Sequence, residues 1–183
     1  MFKYFNGLLY SVEVSYPDPE FGRVMLEHYG GKDSEFSAAT QYINHSQNMP
    51  NPYIRELLNM IAAEEHSHME MVAVSIQKLG GPPLCYVNSQ GVPWCLEYID
   101  QSLDPVAMLQ ADAEAEIRAR QLYNLHLTMT CDPKLQKMIQ FLGSREDVHK
   151  YLFEKARDLI LQNAPLDSFR KLITEYRMSF PTS

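Results

Sequence analysis

The pattern Glu-x29-Glu-x-x-His occurs twice in this chain, and it constrains the fold more than any other feature. The first copy is Glu35, Glu65 and His68; the second is Glu116, Glu146 and His149. Corresponding residues lie 81 positions apart. Residues three apart on a helix share a face, so each Glu-x-x-His pair aims a carboxylate and an imidazole at one spot. Both pairs fall where apolar residues belong. Ile54, Leu57, Leu58 and Ile61 precede Glu65 and His68, and Val72, Ile76 and Leu79 follow them. Leu135, Met138, Ile139 and Leu142 precede Glu146 and His149, and Phe153, Ala156 and Ile160 follow. These are helical stripes interrupted by charge. A buried carboxylate is costly unless something compensates it, and a metal ion compensates a Glu and a His together.

The thirty-residue offset has a geometric meaning. A helix leaving Glu35 climbs about 13 residues, ~20 Å, before the turn near Pro50, and the next descends an equal distance from Pro52 to Glu65. The two carboxylates finish level. The same holds for Glu116 and Glu146 about the turn at Asp132-Pro133. Four helices thereby deliver four Glu and two His to one level of a bundle.

The helix boundaries are written consistently. Asp18-Pro19, Asn51-Pro52, Asp104-Pro105 and Asp132-Pro133 each place a capping side chain before a proline at the first helical position. They open a short helix to about Tyr29 and long helices over about 52–79, 105–130 and 133–162. Gly30-Gly31 stops the first, and Asp33 or Ser34 restarts the chain so that Glu35 lies in a first turn, where the helix dipole suits a carboxylate. A final amphipathic helix spans about 167–178, with Phe169, Leu172, Ile173 and Tyr176 at helical spacing. Residues 1–17 read as an extended lead-in with Tyr10, Val12 and Val14 alternating. Between Gly80 and Leu103 the connection is long enough to cross the bundle from end to end, with 86–88 and 96–99 as extended segments.

The expected fold is therefore all-α: a ferritin-like four-helix bundle with a long crossover between its second and third helices, plus short N- and C-terminal helices. The 183 residues suffice for a single domain over 1–183. A net charge of -7 argues against nucleic acid or an anionic membrane as partner. No run reaches membrane-spanning length. The N-terminal residues lack a secretory signal, so synthesis in the cytoplasm is expected. Cys85, Cys95 and Cys131 form no disulfide or metal pattern and read as reduced structural thiols.

Carboxylate oxygen with imidazole nitrogen suits manganese or iron, and four Glu with two His are enough for two ions. This donor set on four helices is that of di-iron and di-manganese carboxylate bundles. Glu64, His66, Glu70 and Glu114 lie outside the inner stripes and read as solvated. His28, His45 and His126 carry no partner pattern. Arg120, one turn after Glu116 on the inward face, reads as a cation that orients that ligand.

With those residues in view, the chain resembles the manganese catalases, and most of all their short branch of J-type spore coat proteins. The likeness runs through Glu27-x-Tyr29-Gly30-Gly31, Glu35 to Tyr42, Glu64 to Met71, Gly91-Val92-Pro93-Trp94 and Arg145 to His149. It implies metal ligands at Glu35, Glu65, His68, Glu116 and His149, with Glu65 bridging two manganese ions. It places Glu146 beside the cluster as a group that holds or passes a proton. It further implies disproportionation of hydrogen peroxide to water and dioxygen, a homo-oligomer, and a spore coat location with other coat proteins as partners. Two readings stay open beside it. One is a pair of iron ions in a ferritin-like oxidase or ferroxidase; the other is a structural coat protein whose metal cluster turns over little.

Overall fold

The computed structural model describes residues 8–180. Seven α-helices follow in order: α1 (Pro19–Val24), α2 (Leu26–Gly30), α3 (Glu35–Asn48), α4 (Pro52–Lys78), α5 (Pro105–Leu127), α6 (Pro133–Leu161) and α7 (Leu166–Met178). Capping explains most of the starts. Asp18, Asn51, Asp104 and Asp132 each accept backbone N–H groups from the turn they open, with proline following. Ser34 caps α3 through the Ser37 N–H.

α3 packs chiefly against α4, and α5 against α6, giving two helical hairpins that face each other. α7 lies across α4 and α6 and buries Phe169, Leu172, Ile173 and Tyr176. The core divides in two. One apolar cluster holds Ile54 to Ala62 of α4 and Leu152 to Ala156 of α6; the other holds Met71 to Leu79 and Leu135 to Leu142. Between them the same two helices carry the buried Glu64, Glu65, His68, Glu146 and His149. The polar layer thus crosses the bundle with hydrocarbon above and below, as the interrupted stripes require.

The connection from 79 to 104 crosses between hairpins. It contains an isolated antiparallel bridge, Val87 to Pro93, within the extended segment expected at 86–88, and a 3₁₀ turn over Leu96–Tyr98 in place of the extended segment expected at 96–99. Anchoring comes instead from aromatic contact and side-chain hydrogen bonds. Tyr86 stacks between Tyr29 and Phe36, and Trp94 meets Phe36 edge-on while its indole N–H donates to Ser37 Oγ at 2.9 Å. Glu27 accepts from the Ser89 backbone N–H. Gly30 permits the close pass: a Cβ there would stand 2.7 Å from Val87 N. The Glu27-x-Tyr29-Gly30-Gly31 and Gly-Val-Pro-Trp elements are two sides of one clasp, holding the crossover against the start of α3.

One further expectation is corrected. The first helix is interrupted at the fully buried Met25, leaving α1 and α2 in place of one helix to Tyr29. Of the lead-in, 1–7 fall outside the described residues; in the rest, Tyr10 stacks on Phe141 and Lys78 Nζ donates to Val12 O at 2.7 Å. Among the described residues no helix is long and apolar enough to cross a membrane.

Candidate metal centre

Glu35, Glu65, His68, Glu116, Glu146 and His149 all reach the buried layer, each at most 4% exposed. α3, α4, α5 and α6 supply one Glu each, and α4 and α6 add the histidines. Both imidazoles turn Nδ1 inward. Glu65 lies between them: its Oε2 is 2.8 Å from His68 Nδ1 and its Oε1 is 2.7 Å from His149 Nδ1. Glu146 mirrors it at longer range, 3.8 Å from each Nδ1. Glu35 flanks His68 at 3.7 Å, and Glu116 flanks His149 at 3.6 Å. The donors fall into two groups, Glu35-Glu65-His68-Glu146 and Glu65-Glu116-Glu146-His149, with ligand atoms within 4.8 Å of one another in each. The groups share Glu65 and Glu146.

The donor set fits a pair of ions. Glu65 Oε1, Glu116 Oε2, Glu146 Oε1 and His149 Nδ1 are buried without a hydrogen-bond partner. Glu65 Oε1 and His149 Nδ1 are close but not aligned as donor and acceptor, which suits two ligand atoms directed at a common third point. Buried polar atoms left in this way are costly unless a ligand satisfies them.

Two tyrosines hold the flanking carboxylates crosswise. Tyr42 of α3 donates to Glu116 Oε1 of α5 at 2.6 Å, and Tyr123 of α5 donates to Glu35 Oε1 of α3. Each tyrosine lies seven residues after the Glu of its own helix, and the two are 81 apart, so the internal repeat extends beyond the candidate ligands. Burial, then the neighbouring Glu116 or Glu35, pushes both phenols well above their ordinary range and keeps them as donors.

Without metal, protons hold the cluster together. Burial, reinforced by Glu65, pushes Glu35 up to about 8. Burial with Glu65 and Glu116 pushes Glu146 well above the usual carboxylate range. Burial alone would lower His68 and His149, but Glu65 and the surrounding carboxylates raise both well above the ordinary imidazole value. Glu65 goes the other way: burial opposes its charge, and the two imidazoles outweigh burial and hold it below the usual range.

The periodicity misplaces Glu64. It is buried, not solvated, and its carboxylate spans the outer nitrogens of both histidines: Oε2 accepts from His149 Nε2 at 2.9 Å, and Oε1 lies 3.4 Å from His68 Nε2. Arg145 Nε donates to Glu64 Oε1 at 2.6 Å. Fixing the outer nitrogen of a ligand histidine sets its tautomer and aim. His66, Glu70 and Glu114 are exposed, as their register indicates.

Arg120 departs from its expected position. Its Nε pairs with Asp147 Oδ2 at 3.1 Å on a partly exposed flank, and its guanidinium occupies the space left by Gly143. It ties α5 to α6 beside Glu146, while Tyr42 performs the orienting contact on Glu116. The histidines without a sequence partner are also buried in pairs. His45 Nδ1 lies 2.8 Å from Asp112 Oδ1, and His28 Nε2 lies 2.8 Å from His126 Nδ1 while stacking on Tyr123.

A family model, manganese containing catalase, matches residues 1–82 and 80–166. The chain belongs to the manganese-containing catalase family. Within reach of that family, it is 33% identical to Protein CotJC of Bacillus subtilis over 180 residues, covering 87% of this chain and 95% of that protein. It is 32% identical to a probable manganese catalase of Clostridium acetobutylicum, covering 85% of this chain and 79% of the relative. Among solved structures, KatB, a manganese catalase from Anabaena, superposes with a TM-score of 0.84 at 30% identity, covering 87% and 81% of the two chains. A bacterioferritin of Mycobacterium tuberculosis, at 21% identity and a TM-score of 0.64 over 81% of this chain and 91% of its own, shares the ferritin-like fold.

Proposed function

We propose that this chain is a single-domain dimanganese catalase that disproportionates hydrogen peroxide. The observation that carries the reading is the placement of Glu65, one oxygen toward each inward histidine nitrogen, between two otherwise separate donor groups. Glu35 and His68 would hold one ion, Glu116 and His149 the other, and Glu65 both. When bound, two manganese ions supply the two-electron redox change that peroxide disproportionation requires.

The chain's own residues do the rest. Glu146 is the proton store: it faces both histidines at 3.8 Å, and burial among Glu65 and Glu116 favours its protonated form. Tyr42 and Tyr123 fix the flanking carboxylates. A pocket lined by Lys32, Asp33, Arg118, Glu35, Tyr42 and Glu146 joins the partly exposed Arg118–Asp33 ion pair to the cluster. The space in it open to a water-sized molecule is about 20 Å³. That admits one or two small molecules and excludes branched ones. Manganese-loaded protein should release dioxygen from hydrogen peroxide and leave tert-butyl hydroperoxide untouched. Equal turnover of both would overturn the assignment of this pocket as the route to the cluster.

A homo-oligomer and a place in the spore coat are part of the same proposal, supported by the likeness to CotJC and the catalases. A second reading has one observation in its favour. Glu146 belongs to both donor groups, as a direct ligand of a four-carboxylate di-iron centre would. Glu146→Gln separates the two: the catalase reading expects metal retained and oxygen release depressed at least about a hundredfold, on the scale of a lost acid–base group, whereas the di-iron reading expects metal lost.

A further inference from the structure

The segment following α7 reaches the metal centre through one buried arginine. Arg145 is 3% exposed and carries a charge it cannot shed, so its donors must all be met. Nε and Nη2 donate to the two oxygens of Glu64, at 2.6 and 3.3 Å. The remaining contacts come from Ser179 and Phe180. Nη1 donates to the Ser179 carbonyl at 2.9 Å, Nη2 donates to Ser179 Oγ at 3.0 Å, and the guanidinium carbon sits 4.4 Å from the centre of the Phe180 ring. This strap is itself fixed. Ser179 Oγ donates to the Tyr176 carbonyl at 2.7 Å, the Tyr176 ring meets Phe180 edge-on, and Tyr176 Oη donates to Met60 O on α4.

We propose that Ser179 and Phe180 are positioning residues for the metal centre: they hold Arg145 on Glu64, and Glu64 in turn fixes the outer nitrogen of His149 while its other oxygen stands 3.4 Å from that of His68. The inference rests on the reading of the cluster as a metal site. With the strap in place, Arg145 is 3% exposed and the Glu64 carboxylate is held against His149 Nε2. With the strap released, the guanidinium gains solvent and Glu64 loses its orienting partner. His149 then loses the partner of its outer nitrogen, and the carboxylate oxygen 3.4 Å from His68 Nε2 is freed with it. Coupling of this kind is reciprocal, so bound metal also holds the strap down.

The test uses full-length manganese-loaded protein challenged with excess EDTA, with manganese release followed in time. Ser179→Gly combined with Phe180→Ala should release manganese at least about tenfold faster than the parent, the scale of a lost outer partner at a metal ligand. Ile139→Val, in the apolar cluster on the other side of the polar layer, serves as the control for a general loss of stability. It should release manganese at nearly the parental rate. Hydrogen exchange on the unaltered protein gives a readout independent of any variant: amides of residues 176–180 should exchange more slowly with manganese than without. Release from the double variant no faster than from Ile139→Val, or exchange at 176–180 indifferent to manganese, overturns the strap while leaving the metal site standing. A parent protein that takes up no manganese overturns both.

Discussion

At the scale of single residues, the centre is built from groups whose burial makes sense only together. His149 faces Glu65 with one nitrogen and Glu64 with the other, and both carboxylates are sealed from water. His149→Ala should therefore lose most bound manganese and also destabilise the fold, by leaving two carboxylates without their imidazole; metal analysis and chemical denaturation report the two losses separately. Glu64→Gln keeps the shape but not the charge facing Arg145, and manganese affinity should fall about 10- to 100-fold. The ligand candidates were legible because the two Glu-x-x-His pairs interrupt apolar stripes and Glu35 and Glu116 precede them by the same thirty residues. Glu64 was not, because it lies a hundred degrees round the helix from Glu65, where its partners Arg145 and His149 come from α6. A signal did exist: Glu64 and Arg145 are themselves 81 apart, opposite charges at matching places in the two halves. Arg120 misled for the converse reason. Its register is inward, but a long side chain beside Gly143 reaches the surface and pairs with Asp147.

At the scale of elements, capping residues located the helices well. The same repeat that relates the ligands relates Asn51-Pro52 to Asp132-Pro133, so each hairpin turns over with an equivalent cap. Asp132 has a second duty, since its carboxylate also accepts from the backbone and hydroxyl of Ser15 in the lead-in. Asp132→Ala should lower unfolding free energy by about 1 kcal/mol for the cap, and by more through loss of Ser15, while manganese content stays at the parental level. Denaturant titration of metal-free protein reads the first, and metal analysis the second. The crossover was the least legible element. Its conformation is set by aromatic stacking on Tyr29 and Phe36 and by the Trp94–Ser37 hydrogen bond, contacts between segments that no local periodicity encodes. The break at Met25 is likewise a matter of packing, with no proline or glycine at the site to announce it.

At the scale of the whole molecule, the charged layer links stability to pH. Glu35, Glu146, His68 and His149 bind protons more tightly folded than unfolded. Their contributions are complete below the unfolded values and are lost as pH rises through the folded ones. For Glu35 that window runs from 4.5 to about 8. Glu64 and Glu65 act in the opposite sense, but their window lies below the ordinary carboxylate range. Metal-free protein should therefore lose stability between about pH 4.5 and about pH 8. Manganese displaces the same protons, so the stabilisation it confers should grow over that interval. Denaturant midpoints at both pH values, with and without manganese, check both slopes; a metal-free midpoint that rises with pH would contradict the protonated cluster described above.

Metal stoichiometry decides whether one buried layer holds two ions across Glu65. Protein expressed with manganese and freed of loosely bound metal should carry about two manganese per chain, with the exchange-coupled resonance spectrum of a pair that shares a carboxylate. Two manganese per chain giving the spectrum of isolated ions, or no retained manganese at all, would contradict it.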